Sequence, residues 1–247
     1  MEIHYLATFF VAIISSTLSG FAHGGGGFVM GPYWLLSGMT PAQGATTGAF
    51  MSTGMTLSSL AAFRGTEHYP SDKRLMYALS AVAVGAAIFG AFILPKIDVS
   101  VFKTILAVIT VAAIPLLFKR PTITQSIGQG SKVGFTVASL LLLAGSIING
   151  SAISMLFTLT LMTFFSMPIM KVTALRRYVG LWQSIALVTV LSLQGYFVWQ
   201  HALVALAGGS IGSYIGTKYA IKKGETFAKY SLAVIAAISS IALLLSA

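Results

Sequence analysis

LMYALSAVAVGAAIFGAFIL, residues 75–94, is a run of twenty residues without a single charge, closed by Lys73 and Arg74 before it and by Lys96 and Asp98 after it. As a helix it extends about 30 Å, the thickness of a bilayer's hydrocarbon core. Residues 102–118 and 228–247 are further apolar runs of similar character, in a chain of 247 residues that is 56% hydrophobic and 8% charged. A soluble domain of this size needs far more polar surface, so the composition specifies an integral membrane protein. Residues 1–22 lack a basic leader and a small-x-small cleavage site, Glu2 being the only early charge, and read as part of the mature chain.

Cysteine is absent, which excludes disulfides, thiolate metal sites and persulfide chemistry. The 15 Lys+Arg against 5 Asp+Glu do not form one basic domain. They sit between apolar runs, as membrane-anchoring charges do, and no nucleic-acid partner is expected.

Breaking the chain at Gly, Pro and charge clusters gives ten apolar elements, at 3–22, 26–37, 42–63, 75–94, 100–118, 133–148, 151–165, 172–194, 199–220 and 226–246. The second and seventh are short for a crossing, and each follows its predecessor across a tight break, HGGGG in one case and NGS in the other. Whether every element crosses or pairs 1/2 and 6/7 are re-entrant or broken hairpins, the loops fall on the same sides. Arg64, Lys73, Arg74, Lys119, Arg120, Lys132, Lys171, Lys218, Lys222, Lys223 and Lys229 then share one face, and Lys96 and Lys103 the other. The positive-inside rule puts the first group in the cytoplasm of a cell whose inner membrane holds the chain, with both termini outside.

At an offset of 126, FKTILAVI (residues 102–109) aligns with AKYSLAVI (228–235), Gly90 with Gly216, Lys96 with Lys222, His23 with Asn149 and Gly24 with Gly150. One inserted residue later, Thr46 meets Thr173 and Pro41 meets Pro168. The expected fold is therefore an all-α polytopic membrane protein of two five-element repeats, about eight to ten helices, residues 1–120 and 133–247 joined by a cytoplasmic linker at 121–132. Five is odd, so the second copy enters from the opposite side and the repeat is inverted.

These residues resemble the TauE/SafE sulfite exporter family of membrane permeases. The likeness rests on Gly20-Phe-Ala-His-Gly-Gly-Gly-Gly27 followed by Pro32, on GMTPAQGATT (38–47), GAAIFGAFILPKID (85–98) and GGSIGSYIGTKYAIKKG (208–224). His23 stands where that pattern carries glycine, and SIINGSAIS (146–154) lacks the triple glycine. The resemblance implies export of sulfite, organosulfonates or related sulfur-containing anions.

A helix opening after Gly27 presents unpaired N–H groups and a positive dipole end to the break, and Asn149-Gly150-Ser151 opens its counterpart in the same way. His23, Gly24, Gly25, Gly26, Gly27, Asn149, Gly150 and Ser151 are accordingly candidate anion contacts. Thr46, Ala49, Thr53 and Thr56 share a helix face, with Thr173, Arg176, Gly180 and Gln183 as repeat counterparts, so Thr46, Thr53, Thr173 and Arg176 join the candidate site. No acid lies in any span to pair with Arg176, and an anionic substrate is the simplest partner. Arg177, by contrast, reads as a residue that snorkels to the headgroups. The pairs Ala86/Gly90 and Gly212/Gly216 read as close helix-packing positions, and Tyr69, Trp182, Tyr196 and Trp199 as interfacial or packing residues.

The histidines at 4, 23, 68 and 201 are scattered, and no HExxH or paired intramembrane carboxylate occurs. No enzyme activity, metal or cofactor is expected. A channel or a permease for another ion or organic anion is the rival reading, and the partners expected are the anion, the lipid bilayer and a second copy of the chain in a homodimer.

Overall fold

The computed structural model describes residues 2–21, 26–70, 72–98, 101, 132–148 and 151–245. The expected element at 100–118, apart from Val101, and the linker up to residue 131 lie outside them. Every described element is helical: α1 (Glu2–Phe21), α2 (Gly26–Leu36), α3 (Pro41–Phe63), α4 (Lys73–Ile93) with a 3-10 turn at Leu94–Lys96, α5 (Lys132–Ile148), α6 (Ser151–Phe164), α7 (Ile169–Leu193) and α8 (Trp199–Leu245).

Local chemistry sets the starts. Thr40 caps α3 through a reciprocal box, its Oγ1 accepting from the Gln43 N–H at 3.3 Å while Gln43 Oε1 accepts from the Thr40 N–H at 3.0 Å, and Pro41 fits the first turn, which needs no donor. Asp72 Oδ1 accepts from the Leu75 N–H at 3.0 Å, so α4 begins at Lys73, ahead of its apolar run. Pro168 precedes α7, which takes Lys171 into its first turn. Within α8, Gly224 has φ 83° and ψ −177°, a conformation that interrupts the helix between the two elements expected at 199–220 and 226–246.

By length and composition α1 and α4 qualify as membrane spans, over His4–Phe21 and Lys73–Lys96. Helices α3 and α7 are long enough, 23 and 25 residues, but dilute their apolar content with Gly, Ser, Thr and, in α7, two arginines. The reason is their position. Phe63 at the end of α3 packs with Ile169 and Met170 at the start of α7, and Ala45 and Ala49 share a cluster with Leu187 and Leu191, so the two are antiparallel neighbours at the centre of the molecule.

Two flanking helices press against this pair. The first half of α8 runs parallel to α1 at backbone contact. A Cβ placed on Gly208, Gly212 or Gly216 would meet the carbonyl oxygen of Phe9, Ile13 or Thr17 at 2.6, 2.3 and 2.3 Å. On the other flank, a Cβ at Gly90 of α4 would meet Ser146 O of α5 at 2.6 Å. Gly90, Gly212 and Gly216, singled out in the sequence, thus lie at close crossings, where only hydrogen on Cα leaves room.

The short helices return along their predecessors. Tyr33 Oη of α2 lies 2.6 Å from Thr8 Oγ1 of α1, while Gly134 at the start of α5 abuts Phe164 at the end of α6. At 11 and 14 residues, α2 and α6 are about 16 and 21 Å long, well short of a hydrocarbon core.

A cationic cavity within the helix bundle

A cavity of about 220 Å³ opens at the centre of the bundle, lined by residues of α1, α2, α3, α5, α6 and α7. This is smaller than the roughly 300–1,000 Å³ of pockets for drug-sized ligands, and suits a small solute.

One side is cationic. The successive residues Arg176 and Arg177 of α7 splay toward different helices. Arg176 donates from Nη1 to Ser154 O at 2.5 Å and to Thr158 Oγ1 at 3.4 Å, and its guanidinium carbon lies 5.9 Å from the Phe157 ring centre, so it is held by α6. Arg177 reaches α1 instead, donating from Nη2 to Ser19 O at 2.8 Å and Ser19 Oγ at 3.2 Å. Ser19 is in the last turn of α1, where carbonyls lack an intrahelical partner and the dipole favours a cation. The expected snorkelling of Arg177 is not what the fold provides: it is only 5% exposed, and its Nε has no partner among the described residues. Sequence distance from the basic loop gives a side chain's reach, and the α1 carbonyl gives its direction.

Further polar groups line the space. Gln183 Nε2 donates to Ser146 Oγ at 2.6 Å, which in turn donates to Leu142 O at 2.9 Å, and Ser19, Ser52 and Thr56 also line the space. Apolar side chains make up the rest of the lining, Met30, Met51, Met55, Ile153, Phe157 and Trp34. Trp34 is buried against α3 where Gly44 and Gly48 make room: a Cβ on them would come within 3.0 Å of Trp34 Cβ and 3.3 Å of Nε1. Its Nε1 also lacks a partner among the described residues.

Of the residues singled out in the sequence, Gly27 in the first turn of α2 and Arg176 line the cavity, as do Ala49, Thr56, Gly180 and Gln183 of the paired stripes. Gly26 and Ser151 open α2 and α6. His23, Gly24, Gly25, Asn149 and Gly150 lie outside the described residues. Thr46, Thr53 and Thr173 do not line it. Their hydroxyls bond back to Ala42 O, Phe50 O and Ile169 O at 2.6, 2.6 and 2.8 Å. Helix phase explains the difference: the lining face of α3 is centred on Gly48, Ser52 and Met55, about 100° from the threonine stripe. Sequence reasoning missed Ser19, Trp34 and Arg177, whose roles depend on partners far along the chain.

Residues 7–243 match the family model described as "Sulfite exporter TauE/SafE". Among curated proteins, the chain is 24% identical over 243 residues to a "Probable membrane transporter protein YfcA" of Escherichia coli (strain K12), covering 96% of this chain and 88% of that one. It is 29% identical over 252 residues to the "Probable membrane transporter protein ORF9" of a Sinorhizobium sp, at 99% and 94% coverage. A "Probable membrane transporter protein" of Haemophilus influenzae is 25% identical over 225 residues, covering 88% and 86%. No solved structure matches the chain.

Proposed function

The chain belongs to the TauE/SafE sulfite exporter family of membrane transporters, and on that premise we propose that it exports small sulfur-containing anions, sulfite or short organosulfonates, by alternating access. The observation that carries the reading is the pair of arginines on a small central cavity whose described lining contains no acid. Guanidinium binds oxyanions through parallel N–H donors, and a sulfonate or sulfite offers three acceptor oxygens to the fork. The first turns of α2 and α6, where Gly27 and Ser154 reach the cavity, add the positive ends of two helix dipoles. The apolar side chains of Met30, Met51 and Met55 in the lining suit a short hydrocarbon tail, which favours organosulfonates within this class.

Alternating access needs two halves that move against each other, and an inverted repeat supplies them. Support comes from contacts that exchange under the repeat alignment, at an offset of 126, or 127 for α3 after the inserted residue. Gly90 against Ser146 becomes Gly216 against Gly20, and the latter pair is also at backbone contact, with 2.7 Å from a Cβ on Gly20 to Gly216 C. Likewise the hydroxyls of Ser59, Ser213 and Thr217, joined at 2.7 and 2.8 Å, correspond to Ala186, Ala87 and Ala91, which share a single cluster. Charge asymmetry in the loops supports termini outside the inner membrane. With the interior negative, the potential favours anion exit by about 2.3 kcal/mol per charge per 100 mV.

The test is flux from proteoliposomes with sulfite, sulfate, thiosulfate, sulfoacetate and, as a zwitterion, taurine. Arg176→Ala is expected to cut anion flux at least tenfold. Gly180→Leu should do the same by filling the cavity, because Gly180 lines it and nothing lies within 4 Å of a Cβ there. Anion flux indifferent to both changes refutes the site.

A further inference from the structure

The cavity's charge bears on how the carrier returns after delivering its load. Arg177 is buried and Arg176 half-buried, and the partners they have, Ser19, Ser154, Thr158 and the Phe157 ring, are all neutral. The five acids of the chain are Glu2, Glu67, Asp72, Asp98 and Glu225. Glu2 is the first residue of α1, Glu67, Asp72 and Asp98 are in loops, and Glu225 adjoins the break in α8, so none is placed in the middle of a helix beside the cavity. The last turn of α1 offsets about half a unit charge through its dipole, while the first turns of α2 and α6 add about half a unit each. The anion-free cavity therefore carries an excess of more than two positive charges.

Resting on the transport reading above, we infer that the carrier reorients only with an anion bound, so that transport is an obligate exchange of one small anion for another. When either face is open, water solvates the two guanidiniums. In the occluded state through which every reorientation passes, that water is gone and the charges repel each other in a low-dielectric interior with no fixed counter-charge. A bound oxyanion supplies the counter-charge and accepts the free N–H donors, so the loaded carrier reaches the occluded state far more readily than the unloaded one. The counter-substrate is a small anion without an ammonium group, since a second cation finds no acid in the described lining. Exchange of a dianion for a monoanion still moves one negative charge outward, and the membrane potential still favours it.

Counterflow tests this. Proteoliposomes holding the full-length protein are loaded with radiolabelled sulfite, or in parallel with thiosulfate, and the potential is clamped at zero with potassium and valinomycin. They are then diluted into potassium gluconate, potassium chloride or potassium sulfite. Efflux into sulfite is expected to be at least tenfold faster than into gluconate and to saturate as external sulfite rises. The chloride arm reports whether a simple halide serves as counter-anion, and stimulation there supports exchange as well. Efflux into gluconate within twofold of that into sulfite and chloride overturns obligate exchange and leaves the transporter reading standing. Absence of protein-dependent efflux in all three media overturns both.

Discussion

Gly212→Ala adds one methyl group where α1 and α8 touch. The new Cβ would lie 2.3 Å from Ile13 O and 3.0 Å from Ile13 C and Cα, whereas ordinary contact begins at 3.4 Å. The carbonyl belongs to a helix backbone, so a rotamer change gives no relief and the two helices must separate by about 1 Å, enough to forfeit a quarter to half of the dispersion well at each contact. Gly208 and Gly216 face Phe9 O and Thr17 O in the same register, so the separation loosens the helix contact at three points rather than one. Adding overpacking strain and subtracting the better helix propensity of alanine, about 0.5–1 kcal/mol, leaves a destabilisation of about 2 kcal/mol. That is roughly thirtyfold in the folded-to-unfolded ratio and about 4–8 °C in Tm for a chain of this size. Thermal unfolding in detergent, followed by circular dichroism, measures it. Gly85→Ala is the internal control: Gly85 has nothing within 4 Å of a Cβ, so the same change there should leave Tm level or raise it. If Gly212→Ala melts within about 1 °C of the parent while Gly85→Ala behaves as stated, the backbone contact between α1 and α8 is wrong.

Arg177→Met keeps the aliphatic stem but removes a buried charge whose partners are neutral, so it is expected to raise Tm by a few degrees while lowering sulfite flux at least tenfold, measured on the same preparation. Thr40→Ala removes the α3 capping box and should cost about 1 kcal/mol in detergent unfolding, with Thr40→Ser recovering most of it. Gly224→Ala forces a β-carbon into φ 83°, where glycine alone is at ease, and is expected to lower stability by about 1 kcal/mol or more.

What the sequence made legible follows what a one-dimensional pattern carries. The run at 75–94 became α4 because twenty uncharged residues have few other uses, and the Lys-Lys-Gly-Glu at 222–225 marked the break in α8 because glycine there escapes the β-carbon penalty. Arg176 stood out because a charge within a span requires a reason. The threonine stripe misled because hydroxyl spacing alone does not fix helix phase. Gly44 and Gly48 turn inward to receive Trp34, and that rotates Thr46 and Thr53 away from the cavity. Ser19 and Arg177 are 158 residues apart, and no local signal links a helix's last carbonyl to an arginine so distant.

The packing of Trp34 gives the molecule an optical handle. It is one of three tryptophans, 3% exposed and on the cavity wall, whereas Trp182 and Trp199 are 43% and 58% exposed. Replacing the outer two by phenylalanine leaves a single emitter beside the proposed anion site. If an anion enters the cavity as proposed, that emitter's fluorescence is expected to change on adding sulfite, without a label and without waiting for anything to cross the bilayer.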